Sequence, residues 1–379
     1  MISFDAFRHD YIERYHPAAF EEIAARGVRA SALIPSFPSK TFPNHYTLAT
    51  GLYPGHHGIV GNIFYDPATK AVYRNNDSTI RDARWYSGEP IWATAERNGV
   101  KTGIYFWPGS EADIGGMRPS IWNAFDGKRP NSVRVDALVS WFRKPAGERP
   151  HLLMMYLNEV DDTTHKFGPD TVQTARAVAD VDGALRRLLD SIAVLPMRDS
   201  VNIVLVSDHG MSTISPQRAI AVGDLLAHGG VDTTSIVFSD NGPVVSLWFD
   251  GDTTRLRRSY ETLAKGLTNA RVYRPSETPP RWHVASNPKF GDLILVAEDG
   301  FVLLHRSTDK VTSKGAHGWD PLVENMHGIF LAAGPGVRPL GIIPPLENVN
   351  VYPFVAALLR LERVPQVDGS LEVLSRIIR

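Results

Sequence analysis

Short apolar runs that end on an acidic residue constrain this chain more than any other feature. Ile2–Phe4 runs into Asp5, Leu152–Leu157 leads to Asp161, and Val201–Val206 is followed by Ser207-Asp208-His209-Gly210. Such runs read as strands covered on both faces, the situation of a parallel sheet between two layers of helices. The stretches between them are amphipathic. In Asp170–Val194, the residues Val172, Ala175, Val178, Val181, Leu185, Leu188 and Ile192 recur at three- and four-residue steps, which predicts a long helix. The alternation predicts an α/β fold: a largely parallel central sheet flanked by helices. In such sheets ligands gather beyond the carboxyl ends of the strands, where these acids fall.

Finer features fill in this frame. Phe20–Ala25 reads as a helix stopped by Gly27, Val28–Pro35 as strand, and Asn44–Thr50 as a short helix ending at Gly51. The residues after Leu157 read as an acidic loop, Gly328–Ala333 as strand, and Asn350–Leu361 as a final helix with Pro353 in its first turn. The stretch of about 223–312 differs in character. It predicts two hairpins, Ile236–Phe238 with Val244–Phe249 and Leu293–Val296 with Phe301–Leu304, and a helix over Arg255–Leu267. We expect one catalytic domain over 1–379 that carries this stretch as a small α+β appendage.

Composition excludes several functions. The chain of 379 residues has a net charge of −1, so no basic face marks it as a nucleic-acid binder, and its partner is expected to be a small molecule. It holds no cysteine, which rules out disulfides and thiolate metal sites and leaves its 13 histidines and its carboxylates as candidate ligands. No apolar run is long enough to span a membrane. Nothing in the pattern points to an obligate oligomer. The strand at Ile2 begins abruptly. A removed signal peptide is one reading, and it would place the protein in the periplasm or outside the cell.

Mixed Asp/His sets suit zinc. Asp161 and His165 are four apart, so one helical turn or a tight loop points both at one ion, while Asp208 and His209 are adjacent in a bend. His317 lies in Gly315-Ala316-His317-Gly318. Taken singly, Asp161 reads better as a helix cap and each histidine as a surface residue; three acid-rich strand ends in one sheet tip the reading towards a metal site. Thr41 follows Lys40 near a predicted helix start, where free N–H groups favour an alkoxide or a phosphate. The plain alternative is an N-cap threonine beside a surface lysine. His45 reads as serving local backbone groups, and His56, His151, His228, His283, His305 and His327 as structural or surface residues without an acidic partner at metal spacing.

The segment Ser39-Lys40-Thr41-Phe42-Pro43-Asn44-His45-Tyr46-Thr47-Leu48-Ala49-Thr50-Gly51-Leu52-Tyr53-Pro54, followed by His57-Gly58-Ile59-Val60-Gly61-Asn62, resembles the nucleotide pyrophosphatase/phosphodiesterase family of the alkaline phosphatase superfamily. The resemblance continues through Phe4-Asp5, Phe106-Trp107-Pro108-Gly109-Ser110-Glu111, Asp161 to His165, Ser207-Asp208-His209-Gly210-Met211 and Gly315-Ala316-His317-Gly318. It implies an alkaline phosphatase-like fold and two zinc ions, one held by Asp161, His165 and His317, the other by Asp5, Asp208, His209 and the Thr41 oxygen. It further implies attack by Thr41, a phosphothreonine intermediate, and Asn62 as a donor to a phosphoryl oxygen. Lys40 is expected to reach a phosphoryl oxygen as well, and Phe42 and Phe125 to sandwich a nucleobase. Asp320 is expected to orient His317. Phe125 and Trp319 stand where tyrosine is usual, and Thr164 where glycine is common; none of these changes removes a ligand.

The implied activity is hydrolysis of nucleotide-type phosphodiesters to monoesters. No arginine flanks Thr41 to meet a dianionic monoester. A phosphonate or phospholipid head-group hydrolase is the alternative reading. A sulfatase would present a cysteine or serine in place of Thr41, and an inactive binding module would lack a ligand or the nucleophile.

Overall fold

Buried residues of the apolar runs alternate between two cores, one on each side of a sheet. Met154, Val204 and Val206 face one cluster; Leu153, Met155, Leu157 and Leu205 face the other. This period of two is what a strand covered on both faces requires. In the computed structural model, which describes residues 1–284 and 287–379, that sheet has eight strands. We number them along the chain as β1 (Ile2–Phe4), β2 (Val28–Ala30), β3 (Thr102–Tyr105), β4 (Ile121–Asn123), β5 (Leu152–Leu157), β6 (Ile203–Val206), β7 (Phe330–Ala333) and β8 (Gly341–Ile343). Their spatial order is β8-β2-β7-β6-β1-β5-β3-β4. Every pairing is parallel except those of β7, which runs antiparallel to both β2 and β6.

β1 lies between β5 and β6, with Phe4 opposite Leu157 and Ser3 opposite Val206. The carboxyl ends of three neighbouring strands therefore open at one level, and this register brings the acids together. The flanking helix Val172–Ala193 is capped by the Thr171 hydroxyl and buries its apolar stripe beneath the sheet.

Several expectations need correction. Val28–Pro35 is two short strands, Val28–Ala30 and Leu33–Ile34, and β6 starts at Ile203 because Asn202 breaks the apolar run. The residues after Leu157 are not a loop but a helix, Glu159–Phe167. Acidic residues in its first turn and His165 and Lys166 in its last suit the helix dipole. A further short helix, Glu372–Ser375, follows Val351–Leu358.

Within the 223–312 stretch, Val237–Phe238, Val244–Trp248, Ala270–Tyr273 and Leu293–Ala297 form a four-stranded antiparallel sheet. It has its own cluster around Leu226, Leu247, Leu263 and Leu295. The first expected hairpin forms, with Phe238 opposite Leu247. The second does not. Both edges of Leu293–Ala297 are taken by other strands, and Val302–Leu304 pairs in parallel with Ala219–Ala221 instead.

Candidate active site and metal centre

The site begins with a helix start. Thr41 is the first residue of the helix Thr41–Thr50, three positions earlier than the sequence pattern suggested. Pro43 sits in that first turn, where its missing N–H costs no intrahelical bond. The Phe42 N–H donates to Asn62 Oδ1 at 3.0 Å, which leaves the Asn62 amino group free to donate elsewhere. The Thr41 Oγ1 lies 3.2 Å from His209 Nε2.

His209 Nε2 is also 3.0 Å from Asp208 Oδ2 and 3.5 Å from Asp5 Oδ1. On the neighbouring side, Asp161 Oδ1 is 3.4 Å from His165 Nε2 and 3.8 Å from His317 Nε2. The helix makes that possible, since positions 161 and 165 share one face. The structure thus brings together Asp5, Thr41, Asp161, His165, Asp208, His209 and His317. Ligand atoms of Asp5, Asp208 and His209 lie within 4.8 Å of one another, as do those of Asp161, His209 and His317. The His209 ring stacks on His317 at 3.6 Å, so it sits between the two groups.

Three observations test whether these residues suit cations. First, Asp5 Oδ1 and Asp161 Oδ1 are buried and have no hydrogen-bond partner among the described residues, although buried carboxylate oxygens are normally satisfied. Second, each histidine spends Nδ1 on a backbone carbonyl: His165 on Gly315, His209 on Gly210 and His317 on Ser39, at 2.9 Å in each case. A carbonyl only accepts, so Nδ1 donates and Nε2 keeps the lone pair that a metal needs. Third, the charges are unbalanced. Burial, reinforced by Asp208 and Asp161, pushes the Asp5 carboxyl well above its ordinary range, and burial raises Asp161. For Asp208 burial works upward too, but His209 and His45 outweigh it and hold this carboxyl well below its usual value. Burial lowers His209, yet Asp208 overcomes it and draws a proton onto the ring. Burial, with His209 and His165 nearby, pushes His317 far down. The proton drawn to His209 marks where positive charge is favoured, and a cation would replace it.

Close backbone approach explains two motif glycines. A Cβ on Gly210 would stand 2.1 Å from the Asn325 carbonyl oxygen, and one on Gly315 would stand 2.6 Å from that of Thr164.

A cavity of about 730 Å³ opens over the cluster. Thr41, Asn62, Asp161 and His317 line it together with Phe42 and Phe125. Phe125 is 51% exposed, and its ring leans on Tyr156 at 5.8 Å. Lys40 is placed elsewhere. Its ammonium pairs with Asp240 at 3.2 Å, and it lines a second cavity rather than this one.

Two positioning residues escaped the sequence reading. The Tyr156 hydroxyl donates to Asp5 Oδ2 at 2.5 Å. His45 does serve a local carbonyl, that of Thr41, but its Nδ1 also lies 3.2 Å from Asp208 Oδ2. A hydroxyl inside the otherwise apolar run Leu152–Leu157 was the available signal for Tyr156, because a buried O–H needs a partner. Asp320 does not orient His317. Its carboxylate is bound to Arg281, and the Ser39 carbonyl takes the role expected of it. His56 does find an acid, Asp368 at 2.7 Å, far from the cluster in sequence and exposed.

A mostly parallel sheet carrying an Asp/His cluster and a helix-initiating threonine at its strand ends defines an alkaline phosphatase-like α/β protein. The sequence model for "Type I phosphodiesterase / nucleotide pyrophosphatase" matches residues 1–320, and the chain belongs to that family. It is 33% identical over 389 residues to ectonucleotide pyrophosphatase/phosphodiesterase family member 1 of Mus musculus, covering 100% of this chain and 42% of that protein. It thus spans less than half the length of that relative. It is 32% identical to the bis(5'-adenosyl)-triphosphatase of Xenopus laevis, covering 98% of this chain and 79% of the relative. Among solved structures, murine ectonucleotide pyrophosphatase/phosphodiesterase 5, an inactive threonine-to-alanine variant in complex with AMP, superimposes with a TM-score of 0.93 at 30% identity. That match covers 100% of this chain and 98% of the other.

Proposed function

We propose that this chain is a zinc-dependent phosphodiesterase and pyrophosphatase that hydrolyses nucleotide-type phosphodiesters to monoesters through a phosphothreonine intermediate. The observation that carries the proposal is Thr41 at a helix start, its Oγ1 3.2 Å from His209, in the cavity also lined by Phe42 and Phe125. The family of the chain and the AMP complex of its murine structural relative support it.

Asp161, His165 and His317 would hold one zinc ion, and Asp5, Asp208, His209 and Thr41 the other. When bound, the pair would lower the pKa of the Thr41 hydroxyl, offset the charge of the phosphoryl group and stabilise the departing oxygen. Phe42 and Phe125 clasp the flat nucleoside and hold phosphorus over Thr41. Thr41 Oγ forms the new bond to phosphorus as the bond to the leaving oxygen breaks, and the proton that Thr41 gives up passes to the departing oxygen. The Asn62 amino group and the Thr41 backbone N–H donate to the non-bridging oxygens, where negative charge accumulates. Water then cleaves the phosphothreonine, its oxygen bonding to phosphorus and one of its protons passing to Thr41 Oγ, which frees the monoester. Among the described residues no arginine lines the cavity, its one lysine, Lys128, is exposed to solvent, and Lys40 is neutralised by Asp240. A singly charged diester therefore fits better than a dianionic monoester.

The test compares kcat/KM for a nucleotide diester, a choline phosphodiester and a phosphomonoester. The nucleotide diester should lead, and a monoester preference defeats the proposal. Thr41→Ala should abolish turnover and the trapped phosphothreonine while elemental analysis still finds both metals.

A further inference from the structure

A second cavity, about 290 Å³, borders the ligand cluster and has neither Phe42 nor Phe125 in its lining. The two cavities share Asn62, His165 and His317, so one extended substrate could thread both and place phosphorus between them. The charged groups lining the second cavity are Lys40, Asp240 and Lys310, beside the two histidines of the cluster.

Asp240 is held in place. It stands at the tip of the hairpin that the appendage extends towards the cluster, next to Asn241 and Gly242. Asn241 Oδ1 accepts the His305 N–H at 2.7 Å, its amino group donates to Asp309 at 3.1 Å, and the Gly242 N–H donates to the Leu303 carbonyl at 3.0 Å. Lys40 is also confined, its stem lying against Gly318, where an added Cβ would meet Lys40 Cε at 3.3 Å. The Lys40–Asp240 pair is therefore prearranged, with side chains 9% and 29% exposed. Lys310 is exposed at the rim and pairs with no carboxylate among the described residues.

We propose that this second cavity receives the leaving group, and that Asp240 and Lys310 set its charge preference in opposite directions. Lys310 attracts a leaving group that bears further negative charge, such as a diphosphate. Asp240 limits that preference by neutralising Lys40, the nearer of the two cations. The inference rests on the phosphodiesterase reading above, but not on the natural substrate.

Two substrates with the same nucleoside separate the arms: thymidine triphosphate, which releases diphosphate, and the p-nitrophenyl ester of thymidine 5′-monophosphate. The readout is the ratio of their kcat/KM values. Lys310→Gln should lower the ratio about threefold, and Lys310→Glu should lower it further. Asp240→Asn should raise it, about fivefold, because the Lys40 charge is released. Both effects should shrink as ionic strength rises. Ratios that stay within roughly twofold of the parent, or that move in the same direction for Asp240→Asn and Lys310→Gln, overturn the proposal while leaving the phosphodiesterase reading intact. If the parent chain cleaves neither substrate, both readings fall together.

Discussion

Replacing Tyr156 with phenylalanine removes one oxygen and leaves the ring on which Phe125 rests. The Tyr156 hydroxyl donates to Asp5 Oδ2 at 2.5 Å, and both side chains are buried, Tyr156 at 7% exposure and Asp5 at 1%. Among the described residues the other Asp5 oxygen has no hydrogen-bond donor. Burial already pushes this carboxyl well above its ordinary range, and the Tyr156 hydrogen bond works against that push. Without it, a proton competes better with a cation for Asp5. A hydrogen bond to a buried charged group contributes about 1.5–3 kcal/mol. At about 1.4 kcal/mol per decade, that is roughly a 10- to 150-fold loss of metal affinity at the Asp5–Asp208–His209 end near neutral pH. The sign with pH follows from the competition. The deficit should be larger near neutral pH than in more alkaline buffer, because raising the pH removes the proton that competes for Asp5. Chelator competition with elemental analysis in both buffers measures it. KM for a nucleotide substrate, read with saturating metal, should hardly move because the aromatic slot is preserved. Equal metal affinity in parent and variant, or a deficit that widens with pH, would refute the reasoning.

Three further outcomes are expected. Phe125→Ala should raise KM for nucleotide substrates about tenfold and leave a diester without an aromatic arm unaffected; parallel changes on both substrates would argue against a stacking role. His57 is buried against Thr47 and Pro43, and burial holds its pKa at about 3, against 6.5 in the open chain. The unfolded chain takes up that proton first, so the stability is present above pH 6.5 and is lost as pH falls towards 3. Lowering the pH from neutral to about 4.5 should cost about 3 kcal/mol through this residue. Urea titrations should show a smaller acid loss in His57→Gln, and equal losses would exclude His57 as the cause. Gly210→Ala drives a Cβ to within 2.1 Å of the Asn325 carbonyl oxygen and should cost at least about 2 kcal/mol. A thermal midpoint equal to that of the parent would contradict the clash.

Much of the site was legible because its chemistry is local in sequence. Acids that follow apolar runs announce strand ends, and the four-residue step from Asp161 to His165 anticipates the single helical face that carries both. The helix around them was misread as a loop. Its acidic residues look like loop composition, and only their place in a first turn shows that they favour the helix. The hairpin at Asp240-Asn241-Gly242 was legible from its turn residues, whereas the one at Asp299-Gly300 was not a hairpin at all. Turn chemistry tells where a chain reverses, not which strand is free to pair.

The partnerships that tune the cluster were not legible. Tyr156 reaches Asp5 across 151 positions. His45 meets Asp208 only because the Thr41 helix starts at the crevice where β6 ends. Asp320 looked well placed for His317 by proximity in sequence, but Arg281 claims it from a neighbouring element.

By itself, the sequence determined the alternation that makes an α/β sheet, the identity of the candidate ligand residues and the family resemblance. All of these depend on residue type and short spacing. The tertiary structure decided that β1 lies between β5 and β6, that His209 sits between the two ligand groups, and that Asp240 of the appendage neutralises Lys40. The physical reason is that electrostatics and hydrogen bonding act through distances in space, which residue type and short spacing do not specify.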